Sequence, residues 1–346
     1  MKNQSIMDQQ KEKKWLLAAA VFVVILLGIW LMFLNRTQPV KSTANTHITY
    51  AMPITIAAIP AYVASEKGFW RNEGLTVNRQ MFSSGRLALD ALLSNSAEVM
   101  SVSETPLIHA ILQGNKIAII GTVTEHQETK FLGRSDLGIL RPEDLRGKKI
   151  ATLAGTNSDY FMFQFFEKHR IAAAEVSVIS MQPPDMVTAL VNGSIDGYFA
   201  WEPHISYAKK RLGDKAVEFL PGDLYRGRHC IAMNSSFLAQ QPEVAEKLLR
   251  GFMVAQEFTM AHPAESKEIV GRVTGLDAET LESLWGEYTV KVELDKALSG
   301  ILERQSAWAR ARGEGTTSPP DAVLQAVWTE SLRKISASAV TYDDIR

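Results

Sequence analysis

The first strong pattern along the chain is an unbroken apolar run over residues 15–34, with the sequence WLLAAAVFVVILLGIWLMFL. At ~1.5 Å of rise per residue, a helix of this length is ~30 Å long, which matches the hydrocarbon core of a bilayer. Three lysines lie just before the run, and Arg36 lies just after it. This distribution predicts a transmembrane anchor over residues 15–34, with residues 1–14 in the cytoplasm and the rest of the chain outside it.

A cleaved signal peptide is the alternative reading of this segment, because Ser42 and Ala44 form a small-x-small pattern. The apolar part of a signal peptide usually has ~7 to 15 residues, and these small residues lie well beyond the end of the run. We therefore favour an uncleaved anchor followed by a polar linker over residues 35–46. The single cysteine, Cys230, lies too deep in the chain to be an N-terminal lipid acceptor.

From His47 onward, short apolar runs alternate with amphipathic stretches. The predicted strands are Ile48 to Ala51, Leu75 to Gln80, Val99 to Val102, Ile117 to Val123, Lys149 to Leu153, Val176 to Ile179, Gly197 to Ala200 and His229 to Met233. The predicted helices between them are Pro60 to Glu66, Arg86 to Ser94, Thr105 to Gln113, Ser158 to His169, Pro184 to Asn192 and Pro203 to Lys210. This alternation predicts an α/β protein with largely parallel sheets, which becomes almost wholly helical after Asn234.

Two short segments share one pattern. Residues 91–98 (ALLSNSAE) and residues 189–196 (ALVNGSID) each predict a helix end, a left-handed cap at Asn95 or Gly193, and a turn into a buried strand. About 300 residues follow the linker, which is more than one hydrophobic core usually organises. We therefore expect two lobes that share one layout.

The composition and the absence of known motifs exclude several classes of function. The charges balance, with 37 Lys and Arg against 38 Asp and Glu, so no basic field is present to attract nucleic acid. The chain has no phosphate-binding glycine loop, no dinucleotide fingerprint and no nucleophile elbow, and its 7 histidines lack metal-ligand spacing. We therefore expect no catalytic residues, no metal and no cofactor.

Small polar clusters follow several predicted strands, where ligands bind in open α/β sheets. The candidates are Ser84, Gly85 and Arg86; Glu104 and Thr105; Thr156, Asn157, Ser158 and Asp159; Trp201 and Glu202; and Tyr62 after the first strand. Free N–H groups at the helix starts, together with Arg86, are suited to an anion, and the aromatic rings to the walls of a pocket. Helix capping, a solvated arginine and core packing are the corresponding structural explanations.

Three stretches of the chain resemble the substrate-binding proteins of ABC importers for nitrate, aliphatic sulfonates, taurine and thiamine precursors. They are AYVASEKGFW at residues 61–70 with EGL at 73–75, PEDLRGKKIA at 142–151, and NGSIDG at 192–197 running into WEP at 201–203. The resemblance implies a two-lobe type 2 periplasmic-binding-protein fold preceded by one transmembrane helix. Residues 47–128 plus 227–346 form lobe one, and residues 129–226 form lobe two.

The same resemblance implies a function. The candidate clusters fall on the family's ligand loops, so the chain is expected to capture a small anionic or zwitterionic solute, such as a sulfonate, taurine or nitrate, for an ABC permease. It is expected to be monomeric and extracytoplasmic. A membrane-tethered ligand sensor, a binding protein for a thiamine-precursor pyrimidine and an enzyme on the same fold remain as alternatives.

Overall fold

The computed structural model describes residues 46–315 and 317–342. The predictions for residues 1–14, for the anchor at 15–34 and for the linker up to residue 45 lie outside the described residues. Among those described, no helix combines the length and the apolar character that crossing a bilayer requires. Thr46 already belongs to the first strand.

The N-terminal part of the described chain alternates strands and helices as its pattern predicts. Its elements are β1 (Thr46–Pro53), α1 (Ile59–Glu66), α2 (Phe69–Asn72), β2 (Leu75–Phe82), α3 (Gly85–Leu93), β3 (Val99–Ser103), α4 (Glu104–Leu112) and β4 (Ile117–His126). Each of the four strands and three of the four helices coincide with predicted ones to within a few residues. The left-handed cap at Asn95 is confirmed, with φ 57°.

The central part forms a second set of elements. They are β5 (Lys130–Arg134), β6 (Lys149–Thr152), α5 (Asn157–His169), β7 (Ser177–Ser180), α6 (Pro183–Asn192), β8 (Gly197–Ala200), α7 (His204–Leu212) and β9 (Ala216–Phe219). The left-handed cap at Gly193 is confirmed, with φ 79°. Strands β5 and β9 were not predicted.

The C-terminal part returns to the first set and is largely helical. Its elements are β10 (Gly227–Asn234), α8 (Ser235–Gln240), α9 (Pro242–Ala261), α10 (Pro263–Thr274), α11 (Ala278–Leu284), β11 (Tyr288–Glu293), α12 (Lys296–Ala311), α13 (Ala322–Gln325) and α14 (Glu330–Ile335). Strand β11 interrupts a region that the pattern predicts as helical throughout.

The strands form two separate sheets, and we call each sheet with its helices a lobe. The first has the order β11-β4-β10-β3-β1-β2 and the second the order β7-β6-β8-β5-β9. The prediction of largely parallel sheets holds for β3-β1-β2 and β7-β6-β8 only, because β10 runs antiparallel to β3 and β4, β11 to β4, and β5 to β8 and β9. The chain crosses between sheets just before β5 and just before β10, and each crossing strand enters its new sheet in the opposite direction.

Aromatic clusters hold each lobe together. In the first, Trp70 packs edge-on against Tyr50 and Phe252, which ties helix α9 to the sheet. A Cβ on Gly251 of α9 would lie 2.3 Å from the Trp70 ring, so only glycine permits this approach. In the second, the Phe131 ring stacks on Phe219 beside Phe165 and Phe199.

Candidate ligand-binding site

A small cavity lies between the two lobes. Its walls come from the first lobe and crossover (Pro53, Thr55, Gly85, Val102, Ser103, Pro106, Glu128 and His229) and from the second lobe (Thr156, Asn157 and Trp201). Its empty space, which includes part of the opening to solvent, is about 290 Å³. Small-molecule sites usually span ~300–1,000 Å³. The cavity therefore fits one small polar group, and a larger solute requires the lobes to move apart.

Three helices begin at the wall of this cavity. Gly85 is the first residue of α3, Ser103 precedes α4, and Thr156 and Asn157 start α5. The first N–H groups of a helix have no partner within it, and the helix dipole adds positive potential there. Because the helices come from both lobes, an anion in this cavity would be close to helix starts of both lobes.

The start of α3 approaches β3 unusually closely. A Cβ built on Gly85 would lie 2.1 Å from Cγ2 of Val102, which is a severe overlap. Glycine at this position therefore lets the helix start reach the cavity wall. The signal was present in the sequence, where Gly85 follows two serines at a predicted helix start.

The Glu128 carboxyl group forms a polar part of the wall. The Thr55 hydroxyl donates a hydrogen bond to Oε1 at 2.6 Å, and the Tyr288 hydroxyl and the Ala57 N–H donate to Oε2 at 3.0 and 3.3 Å. Burial raises the pKa of Glu128 to about 8, although these donors act to lower it. At neutral pH this side chain is therefore mostly protonated, and it does not repel an anion in the cavity.

Two buried histidines belong to this region: His229 lines the cavity, and His126 lies next to the lining residue Ser103. Nε2 of His229 is 3.0 Å from the Ser101 hydroxyl, and Nε2 of His126 is 3.2 Å from the Ser103 hydroxyl. Burial lowers the pKa of His229 to about 3 and holds the pKa of His126 well below its usual value. Both imidazoles are therefore neutral at physiological pH, and neither supplies a positive charge to a ligand.

Four of the sequence-predicted residues line the cavity: Gly85, Thr156, Asn157 and Trp201. The Asn157 side-chain amide donates to the Thr129 hydroxyl at 2.7 Å, which joins α5 to the first crossover. The Thr156 hydroxyl donates to the Leu153 carbonyl oxygen at 2.6 Å and shapes the turn before α5.

Three other predicted residues stabilise the chain at helix starts instead of lining the cavity, and only Ser84 among them is a helix cap. The Ser84 hydroxyl accepts from the Leu87 N–H at 3.4 Å, and the Asp159 carboxylate accepts from the Gly155 N–H at 3.0 Å. The Ser158 hydroxyl is buried against the hydroxyls of Thr152 and Thr156. These residues fix the loops that carry the helix starts.

Tyr62, Glu104 and Thr105 also lie behind the wall. The Tyr62 hydroxyl donates to the Thr55 carbonyl oxygen at 3.0 Å, and its ring is fully buried in the core. The Thr105 hydroxyl donates to Gln305 at 2.6 Å. The Glu104 carboxylate accepts from the Tyr225 hydroxyl, the Arg228 N–H and the Gln305 amide at 2.8, 2.8 and 2.6 Å.

The remaining two predicted residues occupy other surroundings. The Arg86 side chain is half exposed outside the cavity, 3.9 Å from Asp90, so it does not contact a group bound at the three helix starts. Glu202 is buried beside Lys130, with Oε1 3.5 Å from Nζ, and its Oε2 accepts from the Ser206 N–H. Burial raises the pKa of Glu202.

The sequence pattern did not single out most of the first-lobe wall. Thr55, Pro106 and Glu128 lie at the end of a strand, in the first turn of a helix and at the crossover. Only the order of strands in the sheet shows that these places meet. Among the described residues, 46–315 and 317–342, no group of three or more His, Cys, Asp or Glu side chains is arranged to hold a metal ion.

Comparison with known proteins shows which protein family matches this chain. The family model described as NMT1/THI5 like matches residues 55–266. A Brucella abortus (strain 2308) protein, whose name describes it only as a binding protein, is 26% identical over 275 residues, which cover 72% of this chain and 83% of the relative. The taurine-binding periplasmic protein of Escherichia coli (strain K12) is 25% identical over 232 residues, covering 62% of this chain and 68% of that protein.

Solved structures share the fold. The alkanesulfonate-binding protein SsuA from Xanthomonas axonopodis pv. citri, bound to MOPS, superposes with a TM-score of 0.72 at 16% identity, covering 82% of this chain and 98% of that one. The desulfurization enzyme DSZB superposes with a TM-score of 0.62 at 15% identity, covering 84% of this chain and 98% of the enzyme. The two-sheet fold of periplasmic binding proteins is thereby confirmed, and it occurs in binding proteins and in an enzyme.

Proposed function

This chain belongs to the NMT1/THI5-like family, and we propose that it is a solute-binding protein that captures a small organic anion of the sulfonate class for an ABC importer. The observation that carries the proposal is the meeting of three helix N-termini from two lobes at one small cavity. Relatives named for taurine and alkanesulfonate binding support the same class of ligand.

The ligand charge follows from the groups at the wall. No lysine or arginine is among the described residues that line the cavity, so the helix starts supply the attraction for the anion. Protonated Glu128 can donate a hydrogen bond to a sulfonate oxygen. A zwitterion such as taurine is the alternative, because its ammonium group would pair with ionised Glu128.

Capture works through lobe closure. We place lobe one at residues 47–128 plus 227–346 and lobe two at residues 129–226, and the two are joined in this closed arrangement by contacts outside the cavity. Arg312 Nη1 lies 3.4 Å from Asp159 Oδ1, Lys210 Nζ lies 3.2 Å from Asp277 Oδ2, and the Tyr207 hydroxyl donates to the Thr274 carbonyl oxygen. A ligand that contacts both lobes binds the closed state better and shifts the population toward it.

Calorimetry on the fragment that starts at Thr46 tests the proposal. We expect ethanesulfonate or taurine to bind and to raise the unfolding temperature, because a ligand that binds only the folded state stabilises it. Sodium chloride at equal ionic strength is the control. Failure of sulfonates, taurine and nitrate to bind, or turnover of any of them, would contradict the proposal.

The pH dependence of binding separates the anion from the zwitterion. For ethanesulfonate, affinity should fall as pH rises through about 8, because the ionised Glu128 carboxylate then repels the anion. For taurine, affinity should rise over the same interval, because the carboxylate attracts its ammonium group. The variant Glu128→Gln should remove both slopes. A slope that persists in the variant would exclude Glu128 as its source.

We further propose that the domain works on the outer face of the cytoplasmic membrane, as a monomer beside its permease. The apolar run over residues 15–34 supports an uncleaved anchor, and the E. coli relative is named as periplasmic. Membrane fractionation with N-terminal sequencing of the mature protein tests this placement. A soluble mature form that begins after Ala44 would indicate a cleaved signal peptide.

A binding role is favoured over catalysis on this fold. The one cysteine, Cys230, is fully buried and does not line the cavity, and burial raises the pKa of its thiol well above the usual value. A thiol in that state is a poor nucleophile. We therefore assign no catalytic residue to the chain.

A further inference from the structure

A second small cavity lies next to the first one, on the other side of Pro106. Its lining includes Arg86, Asp90 and His109 of the first lobe and Gly155 of the second, and its empty space, with part of the opening to solvent, is about 330 Å³. Pro106 lines both cavities, and Arg86 and Gly155 directly adjoin Gly85 and Thr156 of the first. The two cavities are therefore neighbours, and a ligand held in the first would have to extend past Pro106 to reach the second.

The His109 ring is nine-tenths buried and held in one orientation. Its Nδ1 atom is hydrogen bonded to the Glu314 carboxylate, and its ring packs edge-on against Trp308 at 5.5 Å between centroids. Because an ionised carboxylate only accepts hydrogen bonds, Nδ1 carries the hydrogen in this pair. In the neutral ring, Nε2 is then left with a lone pair and acts as an acceptor.

Nε2 of His109 has no hydrogen-bond partner among the residues that the structure describes. The ring edge that carries Cδ2 and Nε2 faces Gly155, since Cδ2 lies 3.8 Å from the position of a Cβ on that glycine. Nη1 of Arg86 lies 3.7 Å from the same position. A buried acceptor without a donor is unfavourable, so this edge of the ring is suited to a donor supplied by a ligand.

We propose that Arg86 and His109 form an outer subsite for a hydroxyl group at the far end of the ligand, so that the preferred solutes are hydroxyalkanesulfonates. A hydroxyl can donate to Nε2 of His109 and accept from the guanidinium of Arg86 at the same time. A methyl group can do neither. The inference rests on the proposed function, because the sulfonate end occupies the first cavity.

The test compares ligands of equal length by calorimetry on the full-length protein. The hydroxyl series is 2-hydroxyethane-, 3-hydroxypropane- and 4-hydroxybutanesulfonate, and the methyl series is propane-, butane- and pentane-1-sulfonate. At one length at least, we expect the hydroxyl compound to bind about tenfold more tightly than its methyl counterpart. In His109→Phe and Arg86→Met this preference should fall below twofold, while affinity for the methyl compound changes less than twofold.

Each outcome decides the inference. Equal affinity within every pair for the wild type, or an unchanged preference in both variants, would overturn the outer subsite and leave the proposed function intact. Tighter binding of taurine than of 2-hydroxyethanesulfonate that persists in Glu128→Gln would assign the outer group as a cation and also overturn it. If no sulfonate binds, the proposed function fails and the subsite fails with it. Arg86→Met changes a half-exposed side chain, so it keeps the test valid if His109→Phe does not fold.

Discussion

Replacing Lys130 by methionine should destabilise the protein strongly, because this lysine is the centre of a buried charge cluster. Its side chain is 2% exposed, and Nζ lies 2.7 Å from Glu287 Oε1 and 3.5 Å from Oε1 of both Glu202 and Glu218. Burial acts to lower the pKa of Lys130, but the three carboxylates outweigh it and the pKa is raised. Methionine keeps the length of the side chain and removes the charge.

The size of the stability loss depends on which carboxylates keep another charged partner or contact with water once Lys130 is removed. Glu218 keeps a second partner, since Lys209 Nζ lies 2.6 Å from its Oε2, and Glu287 is one quarter exposed to water. Glu202 is 1% exposed and has no such relief. Removing one partner of a buried ion pair costs ~3–5 kcal/mol, so we expect a loss of about 3 kcal/mol near pH 8, mostly from Glu202.

The loss should depend on pH. Burial raises the pKa of Glu202 and of Glu287 in the folded protein, and removing Lys130 raises both further. A carboxyl group whose pKa is higher in the folded state than in the unfolded state favours folding at low pH and opposes it as pH rises. The deficit of Lys130→Met should therefore be small at pH 5 and should grow up to pH 8.

Urea denaturation followed by tryptophan fluorescence at pH 5, 6.5 and 8 measures the effect. Lys149→Met is the matched control, because Lys149 is an exposed lysine on a strand of the same sheet and should change stability by less than about 0.5 kcal/mol. The double variant Lys130→Met with Glu202→Gln should recover part of the loss. A deficit below about 1 kcal/mol at pH 8, or one that does not change with pH, would refute the reasoning.

Two further predictions concern the cavity wall. Gly85→Ala should cost ~1–3 kcal/mol of stability and weaken sulfonate binding, because the added Cβ overlaps Val102. The control is Gly286→Ala, where a Cβ meets nothing within 4 Å. Equal losses of stability for the two variants in urea denaturation would contradict the predicted overlap. His229→Gln should reduce the loss of stability between pH 7 and pH 5 by up to about 2 kcal/mol. The pKa of His229 is about 3 in the folded protein against 6.5 when unfolded, so acid favours unfolding of the wild type. If the free energy of unfolding falls equally between pH 7 and pH 5 in the wild type and the variant, His229 does not have this role.

Local patterns of apolar and polar residues predicted many of the helices and strands. Strand β8 runs from Gly197 to Ala200, as its apolar run predicts, and the left-handed caps at Asn95 and Gly193 follow from helix-end chemistry. The hydrophobic pattern did not predict strands β5 and β9, because β5 contains Lys130 and Arg134, and β9 is only partly buried. Their pairing depends on the path of the chain between lobes, which no local window contains.

The candidate site also contains residues that the sequence predicted correctly as cavity lining and residues that it did not. Gly85, Thr156, Asn157 and Trp201 lie at helix or strand ends, and sequence position alone predicted the places where they line the cavity. Glu104 and Glu202 lie equally near strand ends, but their side chains point into buried networks with Gln305 and Lys130. Side-chain direction at a strand end depends on partners that come from remote parts of the chain, so spacing could not separate the two groups.

The network around Glu104 has a consequence for biogenesis. Its carboxylate is satisfied by Arg228 and by Gln305, which lie 124 and 201 residues further along the chain. Contacts between such distant positions form slowly, because a long loop must close before any of them is made. While the chain is being synthesised, the first lobe is therefore incomplete until α12 has emerged. Such a delay keeps the polypeptide unfolded for longer and exposes the partners of Glu104 to solvent until the chain is nearly complete.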